Sequence, residues 1–332
     1  MPTDAEAAGL MRSVFVTGGY GLLGAALVDV LLARGAQVTV LRRDATPRSP
    51  LVVLGLERRV NVVAGSVTDS GVVDRALGEY DIDTVFHLAA QSLVGTATQS
   101  PLPTWEANVR GTWTVMEACR THGVARVVVA ASERVYGSQP ELPYREDMAL
   151  APRFPYEVSK AATDLIARSY WHTYGVPVAT TRFANLYGGG DTNRSRLVPE
   201  AVHAVLSGRR PIIRSDGSPE RDFLYVGDAV RAYLAIAEAL DQRDGARGEA
   251  FNAGGGRTHA VREVVELICA IAGPDVEPDI RGRTAPGGKV DRQFVDATKL
   301  RELTGWRPEV DLEQGLRHTV EWYRRHPQAL QG

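Results

Sequence analysis

Val14-Phe15-Val16-Thr17-Gly18-Gly19-Tyr20-Gly21-Leu22-Leu23-Gly24 is the stretch on which the reading of this chain turns. An apolar strand runs straight into a glycine-rich turn, and the apolar run Ala25–Leu32 follows as a helix. Glycines at 18, 21 and 24 suit three jobs. The first allows a tight turn, the second lets backbone approach a pyrophosphate, and the third lets helix and strand pack closely. The helix N-terminus then presents free N–H groups and partial positive charge to phosphates. The same glycines also suit a tight strand-to-helix turn that binds nothing, so the motif needs support from the rest of the chain.

A strand–helix rhythm supplies it. Strands are predicted over Ser13–Thr17, Gln37–Leu41, Val60–Ala64, Thr84–Leu88, Arg126–Ala131 and Val178–Phe183. Helices are predicted over Leu22–Ala33, Ser70–Leu77, Thr104–His122 and Tyr156–Tyr174. Continuous apolar strands such as Val127-Val128-Val129 suit a parallel sheet buried on both faces. Alternation of this kind predicts an α/β fold with a doubly wound parallel sheet of Rossmann type. After about Asn185 the pattern loosens into loops rich in Gly, Pro and Arg. Residues 12–185 are therefore expected to form the dinucleotide-binding domain, with parts of 222–255 returning to it. Residues 186–332 mainly form a smaller, discontinuous substrate domain.

Composition narrows the partners. With 332 residues, 38 Lys+Arg and 40 Asp+Glu, the chain carries no global basic field of the kind nucleic acid attracts. No apolar run approaches the length of a membrane span. Met1–Arg12 lacks the apolar core of a signal peptide, so a cytoplasmic location is expected. Cys119 and Cys269 sit in apolar helical patterns and read as buried thiols, with no metal or disulfide role.

Two further features carry chemistry. In Tyr156-Glu157-Val158-Ser159-Lys160 the four-residue spacing sets Tyr156 and Lys160 on one helix face. A neighbouring ammonium favours the phenolate, which can then exchange a proton with a sugar hydroxyl. Such pairs are also common on ordinary helices. Ser132, in Ala130-Ala131-Ser132-Glu133-Arg134-Val135-Tyr136-Gly137, stands at a strand's carboxyl end, where its hydroxyl either meets a reacting oxygen or caps the next turn.

Taken together these residues resemble the extended short-chain dehydrogenase/reductase family, in its nucleotide-sugar epimerase/dehydratase branch. The matching pieces include Thr17–Gly24, His87–Ala90, Asn108–Thr112, Ser132–Gly137, Tyr156–Lys160, Arg182–Gly188, Arg221–Val226, Asn252–Gly254 and Gly305–Pro308, and so span nearly the whole chain. His87–Val94 and Tyr187–Pro199 look most like CDP-glucose 4,6-dehydratases and their relatives.

The resemblance implies roles. Gly18, Tyr20, Gly21, Leu22, Leu23 and Gly24 would bind the cofactor pyrophosphate region. Val67 would lie against the adenine, and Leu88, Ala89 and Ala90 would line the nicotinamide ribose pocket. Tyr156 would be the catalytic base, Lys160 would orient the ribose and tune the tyrosine, and Ser132 would hold the oxygen at the sugar's C4. Asn185, Val198, Arg214, Arg221 and Arg292 would bind the nucleotide sugar, with Arg221 matched to the diphosphate by its planar fork. Pro286-Gly287-Gly288 and Val290–Arg292 match a loop that closes over the nucleotide. Asn108 is either a proton-relay or a tie-down residue, and His87 is expected to be a packed histidine. A nucleotide-diphosphate sugar is the expected ligand and a homodimer the expected assembly.

Two departures from the family pattern matter. Arg42 stands where NAD users place an acidic residue, and Arg42 with Arg43 leaves NADP open, although Asp44 offers a carboxylate nearby. NAD is the expected cofactor. The second departure follows Ser132. Family 4,6-dehydratases place an acid and then a base there. Glu133 can be the acid, but Arg134 stays protonated and cannot be the base. Glu133 and Arg134 would then form only a salt bridge at the site rim. The expected activity is an NAD-dependent nucleotide-sugar 4-epimerase acting through a transient 4-keto sugar. The alternatives are a 4,6-dehydratase with Glu133 as acid and, less favoured, a non-catalytic dinucleotide-binding module.

Overall fold

A computed structural model describes residues 11–330 apart from 243, 274 and 283–291. The strands are β1 (Ser13–Thr17), β2 (Gln37–Arg42), β3 (Asn61–Ala64), β4 (Thr84–His87), β5 (Arg126–Ala130), β6 (Val178–Phe183), β7 (Asn185–Tyr187), β8 (Ile212–Ile213), β9 (Glu220–Tyr225), β10 (Ala250–Ala253), β11 (Thr258–Ala260), β12 (Asp279–Ile280) and β13 (Arg292–Gln293). Seven of them form a parallel sheet in the order β10-β6-β5-β4-β1-β2-β3. Strand order reverses between β1 and β4, and in such sheets ligands bind beyond the carboxyl ends at that reversal. The doubly wound α/β fold is therefore present.

The sheet forms because its strands bury both faces. Val127, Val128 and Val129 are fully buried, as are Val14, Phe15 and Val16. One apolar cluster joins β1 and β2 to the helices Leu22–Ala33 and Val226–Gln242. The other face packs β4 and β5 against Ser70–Glu79, Gly111–His122 and Pro155–Tyr174. Although Ala250–Ala253 lies late in the chain, it completes the sheet by pairing with β6. A separate apolar cluster gathers the helices Leu197–Leu206, Val261–Ala272 and Leu312–Arg325 beside β9.

One predicted helix differs. Instead of a single helix over Thr104–His122, a turn at Leu102–Thr104 leads into a π-helical segment, Trp105–Arg110, and only then into the α-helix Gly111–His122. The wider π turn coincides with inward bonds of Asn108. Its Oδ1 accepts from the Gln91 N–H at 2.7 Å, and its Nδ2 donates to Gln91 O at 3.1 Å and to Ser159 Oγ at 2.9 Å. Asn108 thus ties the loop after β4 to the helix that carries Tyr156.

The Tyr156 helix has clear local causes. Pro155 opens it with a preset φ. Glu157 reaches back to the N–H groups of Arg153 and Phe154 at 3.0 and 3.3 Å, satisfying donors that a helix start leaves open. Gly175, at φ 70°, ends it in a left-handed turn.

Candidate active site

The glycine turn has the shape of an anion cradle. Gly18 adopts φ 75°, and a Cβ there would lie 2.7 Å from Ala89 N. A Cβ on Gly24 would meet the Gly18 carbonyl oxygen at 2.2 Å, so helix and turn touch backbone to backbone. A Cβ on Gly21 would meet only Gly18 O, at 3.5 Å, which leaves open room on its other sides. The helix starting at Leu22 has no side-chain cap and no acidic residue in its first turn. Its N–H groups are left for an external acceptor. These features fit a dinucleotide's pyrophosphate. Leu88, Ala89 and Ala90 follow β4 directly as partly buried residues, with Ala89 N–H donating to Thr17 Oγ1 at 3.1 Å. Val67 is buried against Gly111, whose Cβ would lie 2.7 Å from Val67 Cγ2. His87 is enclosed between Thr17 Oγ1 at 2.8 Å and Thr112 Oγ1 at 3.3 Å, and burial lowers its pKa to about 3, so it is a neutral packed residue.

Beyond the carboxyl end of β5 the chemistry-bearing groups meet. Ser132 is buried, and its Oγ accepts from the Arg134 N–H at 3.2 Å, capping the 3₁₀ turn Glu133–Tyr136. The Ser132 side chain is also hydrogen-bonded to Tyr156. Of the two roles between which the sequence left a choice, the turn cap is the one seen, with the hydroxyl also beside the Tyr156 phenol. Lys160 is buried and donates from Nζ to Ala130 O at 2.7 Å.

Burial dominates the electrostatics of both Tyr156 and Lys160. Desolvation pushes Tyr156 above its ordinary value, and the Ser132 hydrogen bond with the positive charges of Arg196 and Arg134 pull it back. Lys160 is itself lowered to about 8 by burial. Burial thus raises the proton affinity of the phenol and lowers that of the amine, and the two groups sit over the same strand end, within reach of one hydroxyl.

Glu133 corrects an expectation. It is not a rim residue in a salt bridge: it is 2 % exposed and makes no ion pair with Arg134. Oε1 accepts from Asn185 Nδ2 at 3.0 Å, while Oε2 has no hydrogen-bond partner. Burial raises its pKa to about 7, Arg134 opposes that shift, and Asp222 adds to it. Asp222 is also buried and raised to about 7, and it accepts from the N–H groups of Gly255 at 2.6 Å and Val295 at 3.5 Å.

The substrate-side residues are more dispersed. The second Asn185 donor goes to Asp222 O at 3.2 Å, so its Oδ1 is the atom left for a ligand. Arg221 precedes Asp222 on β9 and donates to Glu220 O at 2.7 Å. Arg292 pairs with Glu220 at 2.9 Å, and Arg214 is exposed in a groove shared with Arg196, Glu200 and Val261. The Val198 side chain is buried in the apolar cluster beside β9 and does not face the cleft as a free side chain. The loop Pro286–Gly288 and Val290 lie outside the described residues.

At the far end of the cofactor cleft, Asp44 is exposed and paired with Arg43 at 2.6 Å. Arg42 instead meets Glu57 at 3.3 Å. Sequence reasoning missed Glu57, which no motif spacing links to β2. It also assigned no role to Arg196. The structure holds Arg196 between Asp191 at 2.9 Å and Ser92 at 2.8 Å, with its charge acting on Tyr156. Among the described residues no group of three His, Cys, Asp or Glu is placed to hold a metal ion, and no helix is long and apolar enough to cross a membrane.

Comparison with known proteins bears on this geometry. Residues 15–319 match the GDP-mannose 4,6 dehydratase family model. A dTDP-glucose 4,6-dehydratase of Xanthomonas campestris is 32 % identical, over 97 % of this chain and 96 % of its own length. The UDP-glucose 4-epimerase of Thermotoga maritima, solved with UDP-glucose, superposes with a TM-score of 0.86 at 30 % identity, covering 95 % and 99 % of the two chains. The dTDP-glucose 4,6-dehydratase DesIV of Streptomyces venezuelae, a double mutant solved with NAD bound, gives 0.83 at 30 % identity, covering 96 % and 99 %.

Proposed function

This chain belongs to the GDP-mannose 4,6 dehydratase family, whose relatives include both nucleotide-sugar 4-epimerases and 4,6-dehydratases, and from that premise we propose that it is an NAD-dependent nucleotide-sugar 4-epimerase. The observation that carries the choice is Arg134. It stands two residues from Ser132, and its charge acts on Tyr156. A permanent cation cannot remove the C5 proton that water loss requires.

The residues divide the work. Asn185, Arg221, Arg214 and Arg292 hold the nucleotide diphosphate and sugar. Ser132 hydrogen-bonds the C4 oxygen and sets it beside the Tyr156 phenol. Tyr156 takes the C4 hydroxyl proton as C4 is oxidised and returns it after the sugar has turned over. Lys160, anchored on Ala130 O, holds the cofactor ribose. Gly18, Gly21 and Gly24 bring backbone N–H groups to the pyrophosphate. Bound there, NAD supplies the reversible two-electron oxidation at C4.

A second reading has its own observation. The buried, partly orphaned carboxyl of Glu133, raised to about 7, suits an acid that hands a proton to a departing C6 hydroxyl. That is the 4,6-dehydratase, which still lacks a base.

The enzyme works as a homodimer in this proposal. Trp113, Val158 and Leu165 are exposed on the helices Gly111–His122 and Pro155–Tyr174, with Leu102 just before them. Large apolar side chains on two packed helices suit a second copy. Incubation with a panel of nucleotide-diphosphate sugars, followed by product mass, tests the function. An isomer of unchanged mass is expected. A product lighter by one water would establish the dehydratase, and no turnover with any sugar would reject both.

A further inference from the structure

The glycine turn and the end of β2 share a carboxylate that no sequence motif announced. Glu57 lies in the 3₁₀ turn Leu56–Arg59, entered through Gly55 at φ 70°. Its Oε1 accepts from the Tyr20 hydroxyl at 2.6 Å and from Arg42 Nη1 at 3.3 Å. Tyr20 lies inside the glycine turn itself, between Gly19 and Gly21. Burial and the Glu57 carboxylate push its phenol pKa upward, so it remains a donor. Glu57 is thereby fastened to the wall of the pyrophosphate cradle.

We propose that Glu57, held by Tyr20, is the residue that selects NAD over NADP in this protein, by neutralising Arg42 and supplying the carboxylate that the end of β2 lacks. This rests on the reading of the glycine turn as a dinucleotide site. In such sites an acidic residue about 20 positions beyond the turn binds the ribose 2′-hydroxyl, and an arginine there accommodates a 2′-phosphate. Arg42 holds that position, and by itself it predicts NADP. The paired Arg42–Glu57 unit has no net charge. A 2′-phosphate, carrying nearly two negative charges, would have to draw Arg42 away from Glu57 and then sit beside the carboxylate. A ribose hydroxyl meets no such penalty. It can donate to Oε2, because both described contacts fall on Oε1. Asp44 is less suited to the task, since it is exposed and engaged by Arg43.

The test is titration calorimetry of NAD and NADP against the full chain, its Glu57→Gln and Tyr20→Phe variants, and the double variant Glu57→Gln/Arg42→Ala. The unmodified protein is expected to prefer NAD. Glu57→Gln should shift the ratio of the two dissociation constants toward NADP by tenfold or more, and Tyr20→Phe should shift it less in the same direction. Adding Arg42→Ala should remove the NADP gain. A Glu57→Gln ratio within twofold of the unmodified protein overturns the proposal while leaving the dinucleotide site intact. An unmodified protein that binds neither dinucleotide overturns the site reading as well, and the inference with it. Glu57 is partly exposed, and circular dichroism of the variants confirms that a changed ratio is not a folding defect.

Discussion

The two walls of the cleft are built differently. On the wall proposed to be catalytic, Ser132 and Lys160 are buried and Tyr156 is partly so; Ser132 is tied to the Arg134 N–H and Lys160 to the Ala130 carbonyl at the end of β5. On the substrate wall, Arg214 and Arg292 are exposed on or beside short strands, and Arg292 is paired with a carboxylate rather than held by backbone. The difference shows where precision is needed. Proton transfer depends on sub-ångström placement, so its groups are clamped by a rigid sheet. Diphosphate binding tolerates long, screened side chains, and a 4-epimerase gains from a sugar held loosely enough to turn.

The strongest way to break this comparison is Tyr156→Phe. Loss of the phenol should lower kcat by about 10²–10⁴-fold, the usual worth of general acid–base catalysis, with NAD affinity unchanged. Steady-state kinetics beside a nucleotide titration checks it, and a mild loss would remove Tyr156 from the chemistry.

Gly24→Ala comes next. The added methyl would stand 2.2 Å from the Gly18 carbonyl oxygen, so turn and helix must separate. Overpacking of this kind costs about 3 kcal/mol. Denaturant unfolding should register that loss together with a weakened NAD complex. Full stability would mean that helix and turn can part freely.

Glu133→Gln sharpens the comparison through pH. Its carboxyl is raised from 4.5 to about 7 in the fold, so between those values the folded state binds more protons than the unfolded chain. Stability attributable to Glu133 is therefore present in full below pH 4.5 and is lost as pH rises toward 7. Glutamine carries no such slope. The variant should gain about 2–3 kcal/mol relative to the unmodified protein between pH 4.5 and 7.5, read from urea melts. A constant difference across that range would mean that Glu133 is ionised in place. If the enzyme is an epimerase, turnover of the variant should also remain within about tenfold of the unmodified protein.

Arg214→Ala should have the smallest effect. An exposed cation on the loose wall contributes about 1 kcal/mol, and less in salt. KM for the nucleotide sugar should rise severalfold at low ionic strength with kcat unchanged. A fall in kcat instead would place Arg214 on the rigid wall.

The same contrast explains what was legible in the sequence. Gly18 and Gly24 could be read because the close backbone contacts they make depend on lacking a Cβ, and no other residue type meets that need. Tyr156 and Lys160 could be read because a helix fixes four-residue spacing. The parallel sheet followed from uninterrupted apolar strands such as Val127–Val129. Glu57 was invisible because its partnership with Tyr20 and Arg42 bridges separate elements, a relation that only tertiary packing creates. The seclusion of Glu133 was hidden for a similar reason, since Asn185 and Asp222 approach it from β7 and β9. The π-helical turn at Asn108 left no sign in the periodicity, and the charge of Arg196 on Tyr156 was hidden because it arrives from a distant loop.

The central claim is that Arg134 leaves C5 untouched, and running the reaction in D₂O tests it most directly. Epimerisation takes hydrogen only from C4 and returns it there, so an isomer with no deuterium at C5 is predicted by NMR and mass. Deuterium at C5, together with loss of one water, would show that a base acts there after all, and would make Glu133 the acid of a dehydratase.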